Sequence, residues 1–207
     1  GPGGYTAALR CAALGKSVVL VEREALGGAC LNVGCIPSKV LIHAADTAHL
    51  AHRSTAWGVQ LEATVDAHQI QVHSASVVQT LTNGVAGLLA NAGVTVWAGE
   101  AHFARPNRLA VTTGDQVKHL EFTDVVIATG STPIEVPGLG FDHQFVLDST
   151  DAVRLDRVPE HLVVVGGGYI GVELGTAWAK LGAKVTIVEA AKRLLPAMDK
   201  RLAQVVQ

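Results

Sequence analysis

The chain has 207 residues, 49% of them hydrophobic, with a formal net charge of −2. That is enough apolar material for one or two packed domains, and the absence of a basic stripe argues against nucleic acid as a partner. No uninterrupted apolar run reaches the roughly 18 residues of a membrane span and the first residues do not read as a signal peptide, so no membrane partner is expected. Three cysteines are too few for a secreted disulfide scaffold. Cys30 and Cys35, five positions apart, suit redox chemistry in a reducing compartment, and a cytoplasmic location is expected.

In chain order, Gly1-Pro2-Gly3-Gly4 runs directly into helix-like sequence over 7–14, which ends at Gly15. A glycine turn of this kind ordinarily follows a buried strand, so the chain is expected to begin inside a phosphate-binding loop. A parallel-type strand is expected over 17–21, ending in Glu22. Gly27-Gly28 breaks the chain ahead of the cysteines. Helices follow over 38–52 and 67–92, the latter stopped by Gly93. Short strands are expected over 94–97, 108–112, 119–122 and 124–128, giving a small β-meander. Pro133, Pro137, Gly138 and Gly140 then mark an irregular connection. Past a helix cap at Asp148-Ser149-Thr150 the βαβ pattern restarts: a strand over 162–165, a helix over 169–181, a strand over 184–188, and a helix near Asp199.

That restart is an internal repeat. Val163-Val164-Val165 leads into Gly166-Gly167-Gly168-Tyr169-Ile170-Gly171, a full G-x-G-x-x-G between a strand and a helix. Glu189 lies eighteen residues past Gly171, as Glu22 lies eighteen past Gly4. Each unit has glycines that let backbone approach a pyrophosphate at a helix N-terminus, and a carboxylate placed for a ribose diol. Two dinucleotide sites and one dithiol suit a relay from nicotinamide to flavin to disulfide, or the reverse, since each carrier handles two electrons. The alternatives for the cysteines are buried small hydrophobes or half a zinc site. No further Cys or compact Cys/His cluster completes four ligands, and His43, His49 and His52 do not have metal spacing, so no metal is expected. Cys11, on an alanine-rich helix face, reads as a buried small hydrophobe.

The segment Gly27-Gly28-Ala29-Cys30-Leu31-Asn32-Val33-Gly34-Cys35-Ile36-Pro37-Ser38-Lys39 resembles the redox centre of the pyridine nucleotide–disulfide oxidoreductases. Within that family Leu31 and Ser38 are most similar to the lipoamide (dihydrolipoamide dehydrogenase) branch rather than to the glutathione- or mercuric-reductase branches. The resemblance runs along essentially the whole chain and includes Ala128-Thr129-Gly130-Ser131.

It implies an α/β fold of tandem Rossmann-like FAD- and NAD(P)-binding domains, truncated at both ends. Residues 1–148 would be the FAD-binding domain without its first strand, and 149–207 the start of the NAD-binding domain, with the C-terminal dimerisation domain absent. FAD contacts are implied for Gly1, Pro2, Gly3, Gly4, Glu22, Gly28, Ala29, Cys30, Lys39, Ala101, Thr129, Gly130 and Ser131. Those implied for NAD are Gly166, Gly168, Tyr169, Ile170, Gly171 and Glu189. Cys35 corresponds to the sulfur beside the flavin and Cys30 to the interchange sulfur that meets the substrate. Lys39 and Glu173 correspond to an ion pair beside the flavin, and two charges on apolar helices are better paired than alone. Glu189 favours NAD over NADP, with Arg193 close enough to blur the preference. Tyr169 either gates the nicotinamide pocket or fills a packing position.

The implied activity is FAD-dependent reoxidation of dihydrolipoamide with NAD through a Cys30–Cys35 redox disulfide. The partners would be dihydrolipoyl groups of a 2-oxoacid dehydrogenase complex, in a homodimer whose second subunit contributes a histidine base. A glutathione- or mercuric-reductase-like flavoenzyme is the alternative enzyme. An inactive fragment, or a flavin-binding module without turnover, is the alternative of another class.

Overall fold

The computed structural model describes residues 1–206, and for His52 the backbone alone, so His52 as a candidate ligand and Gln207 lie outside the described residues. The chain is α/β. Helix α1 (Pro2–Ala13) opens on the glycine turn, with Pro2 in its first turn, where a missing N–H costs nothing. It leads to β1 (Val19–Glu22), then the short α2 (Gly28–Val33), α3 (Cys35–Ser54) and α4 (Ala67–Asn91). Strand β2 (Thr95–Ala98) pairs parallel with β1, Val19 opposite Thr95 and Glu22 opposite Ala98. Three antiparallel strands, β3 (Glu100–Arg105), β4 (Arg108–Thr113) and β5 (Gln116–Glu121), form a meander in which the expected strands 94–97 and 124–128 take no part. After α5 (Ser149–Ala152), the second βαβ unit is β6 (His161–Val165), α6 (Tyr169–Lys180) and β7 (Lys184–Val188), its strands parallel, followed by α7 (Lys200–Val206).

By packing the chain forms two compact units, and both are discontinuous. One comprises residues 1–32 and 77–132, the other 33–76 and 133–207. This partition differs from the division by cofactor motif at residue 148, because α3 and residues 133–148 pack with the second motif.

In the first unit the core is built from Ala8, Leu31, Val85, Leu89, Val94, Ala110 and Val111, all buried. In the second, Leu41 and Ala45 of α3 pack with Leu174, Ala177 and Trp178 of α6, Val153 and Ala67. Trp178 is fully buried and satisfies its indole N–H on the carbonyl oxygen of Ala152 at 2.9 Å. Burying that ring without the acceptor would strand a polar group in an apolar setting.

Four local expectations are corrected. The run 124–128 forms no strand, and Val125, Val126 and Ile127 are exposed, because no neighbouring strand among the described residues supplies a ladder. Strand β3 is present although its sequence, Glu-Ala-His-Phe-Ala-Arg, lacks strong alternation. It is held by β4 and by an edge-to-face contact of Phe103 with Phe122 at 6.1 Å. The cysteine segment holds a short helix of its own, α2, ending before α3. Lastly, the helical stretch Gly28–Ala51 is long and apolar enough to cross a membrane by length and composition. Its apolar residues Leu41 and Ala45 are instead core residues, and the charged Lys39 and Asp46 flanking them are paired with α6.

Candidate functional site

In the first unit, the N-terminal glycine turn meets three separate chain segments. Gly28 sits so close to Gly1 that a Cβ on it would overlap the Gly1 Cα, and its φ of +58° lies in the left-handed region. A side chain at position 28 is therefore excluded twice, by space and by backbone conformation. A Cβ at Gly3 or Gly4 would lie 3.8 or 3.6 Å from the Ala128 Cβ, so the turn rests on the segment that continues into Thr129, Gly130 and Ser131. The Gly1 nitrogen is 3.6 Å from Oε2 of Glu22, which closes β1 beside the turn. Oε1 of Glu22 accepts the Glu24 amide N–H at 3.2 Å. The glycine turn thus meets the acidic strand end at Glu22, the backbone of Gly28 and the Ala128 side chain. Ala101 is on β3, exposed and opposite Val111.

The second turn is in the second unit and has the same logic. Gly166 and Gly168 face open space, so a ligand can approach their backbone. A Cβ on Gly171 would collide with the Gly166 carbonyl oxygen and lie 2.8 Å from Val164 Cγ1, so only glycine lets α6 start this close to β6. Glu189 accepts the amide N–H of Gly167 through Oε2 at 2.6 Å and that of Ala191 through Oε1 at 2.7 Å. These bonds from Ala191 and Gly167 hold its carboxyl below the usual carboxylate range. A carboxylate has about four acceptor positions, so its acceptor capacity is not exhausted by these two bonds. Tyr169 opens α6 and is exposed, as is Ile170.

Gly167 is the variable position of the motif and gave no signal of its own, yet a Cβ there would meet Leu194 Cδ2 at 2.5 Å and Glu189 Oε2 at 3.1 Å. Sequence reasoning missed it, together with Leu194 and Leu195. The Leu195 amide N–H donates to the Gly167 carbonyl oxygen at 2.7 Å, a contact no motif encodes.

The cysteines are thiols in this structure. Cys30 is half-buried on α2 in the first unit; Cys35 is exposed and is the first residue of α3 in the second. The break at Gly34 (φ −128°, ψ −110°) ends α2 and makes Gly34 the N-cap of α3, so the two sulfurs lie on different helices. Of the two, only Cys35 is therefore at the N-terminus of a long helix. The side-chain amide of Asn32, between the cysteines, donates to the carbonyl oxygens of Leu26 and Gly28, both at 3.0 Å, and ties α2 to the chain before it. Cys11 is half-buried rather than buried, because α1 presents that face only partly to the core.

Lys39 and Glu173 do pair. Nζ lies 2.9 Å from Oε2 and 3.1 Å from Oε1. Their side chains are 59% and 41% exposed, so the expected embedding of both charges in apolar helix faces is not found. Of metal-capable clusters, His143, Asp148 and Asp151 lie together, a grouping not anticipated from sequence. Its atoms are engaged with one another: Nδ1 of His143 is 2.8 Å from Asp151 Oδ2, and Asp148 and Asp151 form a capping box for α5.

Two glycine turns, each with a glutamate at the end of the following strand, on a chain with a C-x4-C pair form the arrangement found in the class of dinucleotide-linked disulfide oxidoreductases. The profile of the family described as Pyridine nucleotide-disulphide oxidoreductase matches residues 1–207, and the chain belongs to that family. It is 49% identical over 208 residues to the dihydrolipoyl dehydrogenase of Geobacillus stearothermophilus and 47% identical over 207 to that of Bacillus subtilis, covering 100% of this chain and 44% of each relative. Among solved structures, it resembles LpdA from Mycobacterium tuberculosis (TM-score 0.89, 29% identity, 100% of this chain and 46% of that one). It also resembles the HOCl-induced flavoprotein disulfide reductase RclA from Escherichia coli (TM-score 0.83, 32% identity, 100% and 44%). The chain thus spans less than half the length of these relatives.

Proposed function

We propose that the protein containing this chain reoxidises protein-bound dihydrolipoyl groups of a 2-oxoacid dehydrogenase complex, using NAD. Residues 1–148 serve the flavin and 149–207 begin the nicotinamide domain. What carries the reading is that both glycine turns form with their glutamates at hand, Glu22 beside Gly1 and Glu189 on Gly167, in the chain that bears the dithiol. The residues fit the cofactors: Gly166 and Gly168 leave their backbone open, and Gly28 and Gly171 permit approaches that a Cβ would block.

The working form of the pair is the Cys30–Cys35 disulfide. One thiolate of the dihydrolipoyl group attacks Sγ of Cys30, forming a mixed disulfide and releasing Cys35 as thiolate. The second dihydrolipoyl sulfur then attacks the substrate sulfur of the mixed disulfide. This frees the oxidised cyclic disulfide and leaves Cys30 and Cys35 reduced by two electrons. Cys35, the first residue of α3, is the sulfur released in this order of attack. Bound FAD supplies the passage of those electrons to NAD. Lys39, held by Glu173, provides a fixed positive charge on the second turn of α3. Proton removal from the dithiol is assigned to a histidine of a partner subunit in a homodimer.

The test compares dihydrolipoamide, glutathione disulfide and Hg(II) as substrates for the FAD-loaded protein. Preference for dihydrolipoamide with NAD is expected. Preference for glutathione disulfide or Hg(II) would move the assignment to a related reductase. NADPH outperforming NADH in the reverse direction would overturn the coenzyme choice.

A further inference from the structure

Resting on the nicotinamide reading of the second turn, we propose that Arg193 is a positioning residue for coenzyme: it clasps the loop 194–198 so that this loop braces the dinucleotide turn, and it does not grip a phosphate. Its guanidinium donates to three carbonyl oxygens of that loop. Nη1 reaches Leu195 at 3.2 Å, and Nη2 reaches Pro196 at 3.0 Å and Met198 at 2.8 Å. A guanidinium has five N–H donors in a fixed fork, and this arrangement turns the fork inward on the loop.

The loop so held is under strain where it touches the turn. Leu195 has φ +50°, a left-handed conformation that a leucine adopts only when its surroundings over-determine it. Three contacts do so. Its amide N–H is bonded to the Gly167 carbonyl oxygen, its own carbonyl oxygen is bonded to Arg193, and its side chain is 8% exposed. Leu194 packs where a Gly167 side chain would stand, and the other face of that glycine carries Glu189. The chain of contacts therefore runs from Arg193 through Leu195 to Gly167, and Gly167 gives its N–H to the glutamate that reads the ribose. Releasing Arg193 leaves Leu195 free to relax to a commoner conformation, and the turn loses its brace.

A second role is open to Arg193 by position. It lines a cleft of about 450 Å³ with Lys192 and Lys200, and three cations there resemble a seat for a 2′-phosphate. The three carbonyl bonds argue that Arg193 is committed elsewhere.

Titration of the FAD-loaded protein with NADH and with NADPH, for the unchanged chain, Arg193→Ala and Arg193→Lys, separates these roles. The clasp predicts that Arg193→Ala weakens NADH roughly tenfold, the scale of losing charge-assisted hydrogen bonds. Arg193→Lys, which can keep part of the carbonyl bonding, should fall between the two and serves if the alanine variant does not fold. Amide hydrogen exchange over 194–198 should rise in the same order, and NADPH should not be lost selectively. NADH affinity within about twofold of the unchanged protein in both variants overturns the clasp. Selective loss of NADPH overturns it in favour of the phosphate seat. Failure of the unchanged protein to bind NADH overturns the coenzyme reading and this inference with it, a result seen before any variant is made.

Discussion

Lys39 on α3 and Glu173 on α6 meet across 134 residues of chain, with Nζ 2.9 Å from Oε2, and both side chains are more than 40% exposed. The pair joins the two helices that build the core of the second unit, but in high dielectric it adds little to stability. Lys39→Ala or Glu173→Gln should cost no more than about 1 kcal/mol in urea denaturation, while turnover of the flavin-loaded protein falls sharply. A stability loss above about 3 kcal/mol would mean the pair is structural, as a buried pair is.

The two glycines at the second turn should respond differently to alanine. At Gly171 the new methyl meets the Gly166 carbonyl oxygen, which is backbone and cannot step aside. At Gly167 it meets the far end of Leu194, which can rotate away. Gly171→Ala should destabilise by about 1–3 kcal/mol, and Gly167→Ala by less. Thermal denaturation of both variants checks the order, and equal losses would contradict it.

Trp178 should be the costliest single truncation in the second unit. It is fully buried among Leu41, Ala45, Val153 and Leu181, and its N–H is bonded to Ala152. Trp178→Ala is expected to cost about 3–5 kcal/mol, read as a shift of the denaturant midpoint. Trp178→Phe should cost less but leave the Ala152 carbonyl without its donor, and a double comparison with Leu41→Ala would show coupling.

His143 should stabilise its loop only while protonated. The hydrogen bond to Asp151, then the carboxylate's charge, raise its pKa above the ordinary value. A raised folded pKa contributes stability that is full below the unfolded value of about 6.5 and is lost as pH rises through the folded value. His143→Gln should therefore lower the melting temperature more at about pH 5.5 than at about pH 8.5. An NMR titration of the His143 ring gives the folded value directly; a midpoint at or below the free-histidine range would sink the idea.

Thiol chemistry should separate the three cysteines. Cys35 is exposed, and Cys11 is half-buried on α1. With the protein reduced, alkylation followed by peptide mapping should modify Cys35 well before Cys11. Cys30→Ser and Cys35→Ser should each abolish disulfide turnover, whereas Cys11→Ser should not change it. Activity surviving in Cys30→Ser would overturn the disulfide relay itself, since no Cys30–Cys35 disulfide can then form.

Much of the site was legible because glycine and glutamate do backbone-level work at fixed offsets. The eighteen-residue spacing from Gly4 to Glu22 and from Gly171 to Glu189 is one helix plus one strand, so the acid must end beside the turn. The same locality let Cys30 and Cys35 be read from a thirteen-residue segment. Strand 124–128 was not legible as absent, since a run of Val, Val and Ile has strand propensity whether or not a neighbour offers hydrogen bonds. The exposure of the Lys39–Glu173 pair depends on which way two helix faces turn, and apolar neighbours in sequence do not decide that.

By itself the sequence determined the repeated turn-and-acid units and the dithiol, because each depends on residues close along the chain. Tertiary structure alone decided the rest. Gly28 must be glycine because the Gly1 backbone stands against it, whereas at Gly167 the close neighbours are the side-chain ends of Leu194 and Glu189. The Arg193 guanidinium, which from sequence could have faced a phosphate, is spent on three carbonyls of its own loop. Close approach is a property of atoms far apart in the chain that only packing brings together. The direction a long side chain such as Arg193 takes is set by the folded path of its loop rather than by residue type.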